Sequence, residues 1–389
     1  MHVLIAPDKF KGTLTATEVA DALQSGLTSA AAVTCATVPL ADGGDGSVVA
    51  ALSAGYTGAE ATVTGPTGDP VHTRIAHHGG TAMVEVASSC GMSTLTGGRL
   101  ESLRSSSFGL GQAIIHAVDV LGARRVVIGL GGSASTDGGA GMLAALGARF
   151  LDALGEPVMP TGGTLCSIEK VDLRPLRLWA GIELIAATDV RNPLLGRDGA
   201  AAVFGPQKGA APTEVALLDR GLAHLACLVT ASDPGVAATP GAGSAGGIGF
   251  GCLVLGARIV SGAEFFLDLL DFDCHARGAD MVVTGEGHLD AQTAHGKLVS
   301  VVAARSAGRP VVAVVGRTSL PPGEARRLGL HSVHALADGT TADSSADPAL
   351  SRDLLHQIGI RLATELPTGD AHDGGAPGGV TGSAASGCA

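Results

Sequence analysis

Aromatic side chains are nearly missing from this chain: one Trp, one Tyr and eight Phe make up 3% of its 389 residues. Its cores must therefore be built from Ala, Val, Leu and Ile. Charged residues reach only 16% against 46% hydrophobic, a balance that excludes a solvated, disordered chain and calls for extensive burial. Long apolar runs are lacking too. Stretches such as 126–130 and 311–315 fall far short of the about 20 residues a membrane span needs, so no membrane partner is expected. The apolar start 3–6 runs straight into Asp8, Lys9 and Lys11. That leaves no h-region and no small-residue cleavage site, and a cytoplasmic protein is expected. The seven Cys stand singly with no Cys-x-x-Cys, and their odd number argues for reduced core filler rather than a disulfide frame. With 25 basic and 36 acidic side chains the net charge is -11, which repels a phosphate backbone and excludes nucleic acid as a partner.

Glycine is abundant, at 59 residues, and implies many turns that need a missing Cβ. The length exceeds what one core usually serves, so two domains are expected. Short apolar runs (3–6, 32–39) alternate with Ala-rich stretches (15–26, 46–54), which is the rhythm of βαβ units and predicts an α/β fold. Thr15 with Glu18 three residues on has capping-box spacing, and Gly26 stands where that helix would end. Residues 61–91 carry Gly/Pro/Asp turns between short Thr/Val/Ile runs and predict antiparallel hairpins or a meander. Helices follow at 108–121 and 140–146, with a buried strand at 125–130. Strands at 280–284 and 310–315 flank a helix at 297–307 and restore the opening rhythm. The two ends of the chain are thus expected to share one domain, 1–65 plus 277–367, with 66–276 inserted. The polar residues 368–389 have almost nothing to bury and are expected to form a disordered tail.

The strongest local pattern is a strand, a glycine and hydroxyl loop, then a helix, at Gly131, Gly132, Ser133, Ser135 and Thr136. Unpaired N–H groups at the positive end of a helix suit an anion, phosphate or carboxylate, although Ser and Thr also cap helices in ordinary turns. A second loop carries G-x-G-x-x-G at Gly241, Gly243 and Gly246, with Ser244 among them. What precedes it does not read as a strand, so it is not the dinucleotide fingerprint. No G-x-x-x-x-G-K-[ST] occurs either.

Acids sit in glycine-rich loops: Asp42 and Asp45 in 41–46, Asp189 and the nearby Asn192 in 187–193, Glu286 and Asp290 in 284–290. Two of these loops follow apolar runs and should emerge at carboxyl ends of strands, where open α/β sheets bind ligands. Oxygen-only donors without a Cys/His cluster suit Mg²⁺ and exclude a zinc centre. Asp8 and Lys11 lie just past the first strand, where a carboxylate can accept a hydroxyl proton and an ammonium can hold a carboxylate or phosphate. Asp and Lys in such a loop are also often plain surface charges, and Lys208 has the same ambiguity, while His72, His77 and His78 read as loop residues.

Taken in order, these loops resemble the type-1 glycerate kinases. The resemblance runs through Ala6-Pro-Asp-Lys-Phe-Lys-Gly-Thr-Leu14, Ala41-Asp-Gly-Gly-Asp-Gly46, Gly131-Gly-Ser-Ala-Ser-Thr-Asp-Gly-Gly-Ala-Gly-Met142, Asp189-Val-Arg-Asn-Pro-Leu-Leu-Gly196, Ala201-Ala-Val-Phe-Gly-Pro-Gln-Lys-Gly209, Pro240–Gly247 and Thr284–Thr293. It covers about residues 3 to 320. It implies a Rossmann-like parallel-sheet domain with an inserted α/β domain and an active-site cleft between them. The activity it implies is ATP- and Mg²⁺-dependent phosphorylation of D-glycerate, with the 2-hydroxyl favoured over the 3-hydroxyl. By loop position, Asp189 or Asp42 would act as base and hydroxyl holder beside Asp8, Lys11 would meet the glycerate carboxylate, and Glu286 and Asp290 would face Mg²⁺. The two glycine loops would take ATP phosphates or the substrate carboxylate. A homodimer is compatible with this reading but no residue points to it. One departure stands out: His288 occupies a position where the family usually carries Arg, exchanging a permanent guanidinium for a group largely neutral near pH 7. Two other readings stay open, a kinase for another sugar acid and a non-catalytic small-anion binding protein. The strand-end acids weigh against the second, because they oppose anion binding unless a metal intervenes.

Overall fold

The computed structural model describes residues 1–230, 233–290, 297–321 and 323–365; the expected tail and residues 291–293 of the last motif lie outside them. The described residues form two compact units, one within 1–39, 271–291 and 302–389 and one within 40–270 and 292–301. Loop composition had placed the junctions at 65 and 277. Strand pairing explains the difference, because Thr57–Thr64 is an edge strand of the second unit's sheet, antiparallel to Pro70–His78.

The first unit is Rossmann-like. Its five strands are all parallel, in the order Ser332–Ala335, Val311–Val315, Met281–Gly285, His2–Pro7 and Thr34–Thr37. Numbered by chain position this is 5-4-3-1-2, with the order reversing between His2–Pro7 and Met281–Gly285. Both of these strands are buried almost throughout, from Val3 to Pro7 and from Met281 to Gly285, as in a sheet covered on both faces. The first helix, Ala16–Ala30, begins at Thr15, whose side chain accepts from Glu18 N while Glu18 returns a bond to the Thr15 N–H. It does not stop at Gly26. That glycine instead lets the helix approach Pro348–Glu365: a Cβ there would lie 2.1 Å from the His356 carbonyl oxygen, and one at Gly359 only 2.6 Å from the Leu23 oxygen. Leu23, Leu27, Leu355, Ile358 and Leu362 fill the seam.

The second unit is built on six strands in the order Arg258–Val260, Glu183–Ala187, Arg125–Gly129, Thr81–Glu85, Pro70–His78 and Thr57–Thr64. The first four are parallel and the last two antiparallel, so the expected meander is present and then joins a parallel half. His72, His77 and His78 lie in the strand Pro70–His78 rather than in loops; His72 and His78 are exposed, while His77, on the face of Thr73 and Ile75, is half-buried. The expected helix at 108–121 appears as Phe108–Ile115 continued by a wider π turn, His116–Val120. Of the described cysteines only Cys90 and Cys252 are buried, while Cys166 and Cys227 are exposed, so core filling accounts for just part of the set. No helix among the described residues is long and apolar enough to cross a membrane.

Candidate active site

Register in the second sheet aligns four strand ends: Glu85 pairs with Gly129, Gly129 with Ala187, and Val260 with Ala187. The chain leaves this one edge as the Gly131–Asp137 loop, as Thr188-Asp189, and as Ser261 at the start of helix Gly262–Leu269. Four elements from distant parts of the sequence are thereby brought to the same rim, as parallel sheets do at their carboxyl ends.

Asp189 is mostly buried, and its carboxyl is held by Ser261 Oγ at 2.8 Å and Ala263 N at 3.1 Å. Burial comes first among the causes that push it up from 3.8 to about 6, and the neighbouring Asp42 adds to the rise while the hydrogen bonds oppose it. Asp42 accepts from Gly44 N at 2.9 Å within its own turn. Close approach of backbones makes this neighbourhood possible. A Cβ at Gly262 would lie 2.0 Å from the Asp42 oxygen, one at Gly43 2.7 Å from the Ala187 oxygen, and one at Gly131 2.5 Å from Gly44 Cα.

The two glycine loops of this unit meet each other. Gly138 N donates to Gly246 O at 3.1 Å, and Gly243 N to Asn192 O at 2.9 Å. Ser244 Oγ reaches Thr188 Oγ1 at 3.3 Å, so the second loop also touches the Asp189 segment. Asn192 itself turns outward and donates to Asp198 O. Residues 245–247 all have positive φ, an L-residue included at Ala245, which opens the helix Ser244–Val254 in a left-handed turn. A 3₁₀ helix, Pro234–Ala238, precedes this loop, in keeping with its exclusion as a dinucleotide fingerprint. Lys208 lies beneath the first loop and is 2% exposed, its ammonium donating to Ser133 Oγ at 2.7 Å and Ser135 O at 2.5 Å. Thr136 Oγ1 is the one buried side-chain polar atom among the described residues with no hydrogen-bond partner.

Residues that sequence reasoning missed hold this framework. Asp137, fully buried, accepts from Ser107 N and Oγ, Ser135 Oγ, Gly139 N and Gly141 N, and so fixes the loop to the start of helix Ala140–Ala145. Glu85 accepts from Val48 N at 2.5 Å, anchoring the helix that follows the Asp42 turn. Glu85 ends an apolar run just as Asp189 does, and Ser261 with Glu264 has capping-box spacing; both signals stood in the sequence. Burial pushes the thiols of Cys90 and Cys252 up to about 12, so neither offers a thiolate.

In the first unit, Asp8 and Glu286 immediately follow the paired strand ends Pro7 and Gly285, with Asp8 N donating to Gly285 O at 2.8 Å. They flank the point where strand order reverses, the usual ligand position in such sheets. Asp8 is buried and Lys11 exposed. Asp290 closes the same segment. His288 pairs with Arg317 in a short two-stranded ladder and its Nε2 contacts Ser319 Oγ at 3.1 Å.

An α/β enzyme for small anionic substrates is the class these strand-end loops define. Residues 3–364 match the glycerate kinase family, and the chain belongs to it. It is 38% identical to a glycerate kinase of Bacillus subtilis (strain 168) over 349 residues, 87% of this chain and 91% of that protein. A glycerate 2-kinase of Escherichia coli (strain K12) is likewise 38% identical, over 86% of this chain and 90% of its own. Among solved structures, one from Salmonella typhimurium LT2 carrying the provisional name glycerate kinase 2 superposes with a TM-score of 0.75 at 34% identity, covering 95% of this chain and 99% of that one.

Proposed function

We propose that the protein transfers the γ-phosphoryl group of ATP to the 2-hydroxyl of D-glycerate, as a member of the type-1 group. The observation that carries this reading is Asp189: a carboxyl at a strand end, mostly buried, held in one orientation and shifted to about 6. A base with that affinity is ionised at neutral pH yet basic enough to accept a hydroxyl proton. The glycerate O–H bond breaks as its proton passes to Asp189, the oxygen bonds to the γ-phosphorus, and the bond to the departing ADP breaks. Asp42, beside Asp189, orients a substrate hydroxyl. The loops at Gly131, Gly132 and Ser133 and at Gly243 and Gly246 present backbone N–H groups to substrate anions. Lys208 acts from below by polarising the Ser133 hydroxyl, and Thr136 Oγ1 has a proton to give to a ligand oxygen.

In the first unit, Asp8 and Lys11 are the residues that the resemblance offers for binding polar or anionic groups. Glu286 and Asp290 are the residues that would hold Mg²⁺. No cluster of three or more His, Cys, Asp or Glu forms among the described residues. Two carboxylates of that kind suit an ion that completes its shell with water and phosphate and neutralises the transferring group. His288 stands nearby in sequence, its Nε2 on Ser319 Oγ. The name of the Escherichia coli relative supports the 2-position. A coupled ADP-release assay over D-glycerate, L-glycerate, lactate, tartronate and gluconate tests the substrate class: D-glycerate should give the highest kcat/KM, and a preference for another acid would reassign the substrate.

A further inference from the structure

We propose that Ser261 is a positioning residue for Asp189: its hydroxyl, with the N–H groups opening helix Gly262–Leu269, holds that carboxylate ionised and in one orientation. This rests on the reading of Asp189 as the base. Strand register sets the meeting, since Val260 pairs with Ala187 and Ser261 and Asp189 follow one and two residues later. Ser261 is the N-cap, accepting from Glu264 N at 3.3 Å, and it donates to Asp189 Oδ1 at 2.8 Å. A hydroxyl has one proton and two acceptor sites. The cap bond uses an acceptor site, and the proton goes to Asp189. Ala263 N supplies Oδ2 at 3.1 Å, which leaves lone pairs on both carboxylate oxygens to receive a substrate proton.

The helix can serve the acid only because residue 262 is glycine, whose missing Cβ allows the Asp42 backbone to within 2.0 Å of where that atom would be. The charged group facing Asp189 from the opposing loop is Asp42, which resists its ionisation; Glu264 in the first helical turn is exposed. Ser261 and the two N–H groups work against burial and Asp42 together. Hydrogen bonds to the charged form favour it, so their loss moves the titration upward.

Selective ¹³Cγ-aspartate labelling with ¹³C NMR titration tests the assignment, the Asp189 signal being identified by its absence in Asp189→Asn. Ser261→Ala should raise the Asp189 midpoint by about one pH unit. Ser261→Gly should do the same with less harm to the helix, since glycine is tolerated at an N-cap. Ser261→Thr, which keeps the oxygen, should leave the midpoint within a few tenths. The acidic limb of kcat/KM should move with the NMR midpoint. An unchanged midpoint in both Ser261→Ala and Ser261→Gly would overturn the proposal, as would a rate loss uniform with pH. Full activity in Asp189→Asn would instead remove the base assignment, while the NMR titration would still report whether Ser261 governs this carboxyl.

Discussion

Asp189→Asn should make the second unit more stable at alkaline pH while stopping turnover. The folded protein holds the Asp189 proton to about pH 6, the unfolded chain only to its ordinary 3.8. Its ionisation therefore opposes folding: the cost is absent below pH 3.8, grows across that window and is complete above about pH 6. Two units and a fraction, at 1.36 kcal/mol each, come to about 3 kcal/mol at pH 8. At pH 4.5 the same displacement leaves only about 1 kcal/mol. The amide also disturbs the bonds from Ser261 and Ala263, but that loss is the same at both pH values. Stability of the variant relative to the parent should thus rise by roughly 2 kcal/mol between pH 4.5 and pH 8. The single Trp, Trp179, lies in this unit with its indole N–H donating to Asp119 at 2.9 Å, so its fluorescence in urea titrations reads the transition. A difference between the two pH values below about 0.5 kcal/mol would refute the reasoning, because Asp189 would then titrate as an ordinary exposed aspartate. Turnover should fall by about 10²–10⁴-fold. Gain of stability with loss of rate is the usual signature of a strained catalytic group.

Lys208→Met should cost roughly 1–3 kcal/mol in the same titration, since the Ser135 carbonyl and Ser133 hydroxyl lose their buried donor, and should raise the KM for ATP or glycerate. Gly246→Ala places a methyl 2.0 Å from the Ser135 oxygen at a φ of 75°, and the soluble yield and urea midpoint should both drop sharply, by an amount above about 2 kcal/mol. In the first unit, Gly26→Ala drives a methyl to 2.1 Å from the His356 oxygen; a thermal shift should show that unit weakened by about 1–3 kcal/mol, with the Trp179 transition unmoved. Alanine at both Glu286 and Asp290 should raise the Mg²⁺ concentration needed for half-maximal rate by at least about tenfold, without moving that transition.

Local signals carried most of the fold. Mostly apolar runs predict strands at 280–284 and 310–315, found at Met281–Gly285 and Val311–Val315 and buried throughout, and the Thr15–Glu18 box set the start of the first helix to the residue. What stayed hidden depends on partners far away in sequence. Gly26 has the composition of a helix stop, and only its contact with a helix over 300 residues later explains why the helix continues through it. The strand Thr57–Thr64 falls within the 1–65 span expected of the first domain, and only its pairing with Pro70–His78 places it in the second unit. The acids proposed to meet substrate and metal were legible because they sit in short glycine turns, most of them after strands. The supporting groups were less so: Asp137 and Lys208 look like loop charges until their burial and their hydroxyl partners are seen. Ser261 is an ordinary cap in sequence, and strand register alone brings it to Asp189.

The measurement closest to the central claim is ³¹P and ¹³C NMR of the product formed by the purified full chain with ATP, Mg²⁺ and D-glycerate. The phosphate resonance should couple to the carbon bearing the 2-hydroxyl, with one ADP released per glycerate consumed, and both signals should build up about 10²–10⁴-fold more slowly in Asp189→Asn. Phosphate on the terminal carbon would contradict the proposed regiochemistry, and ADP release with glycerate left unmodified would contradict the transfer itself.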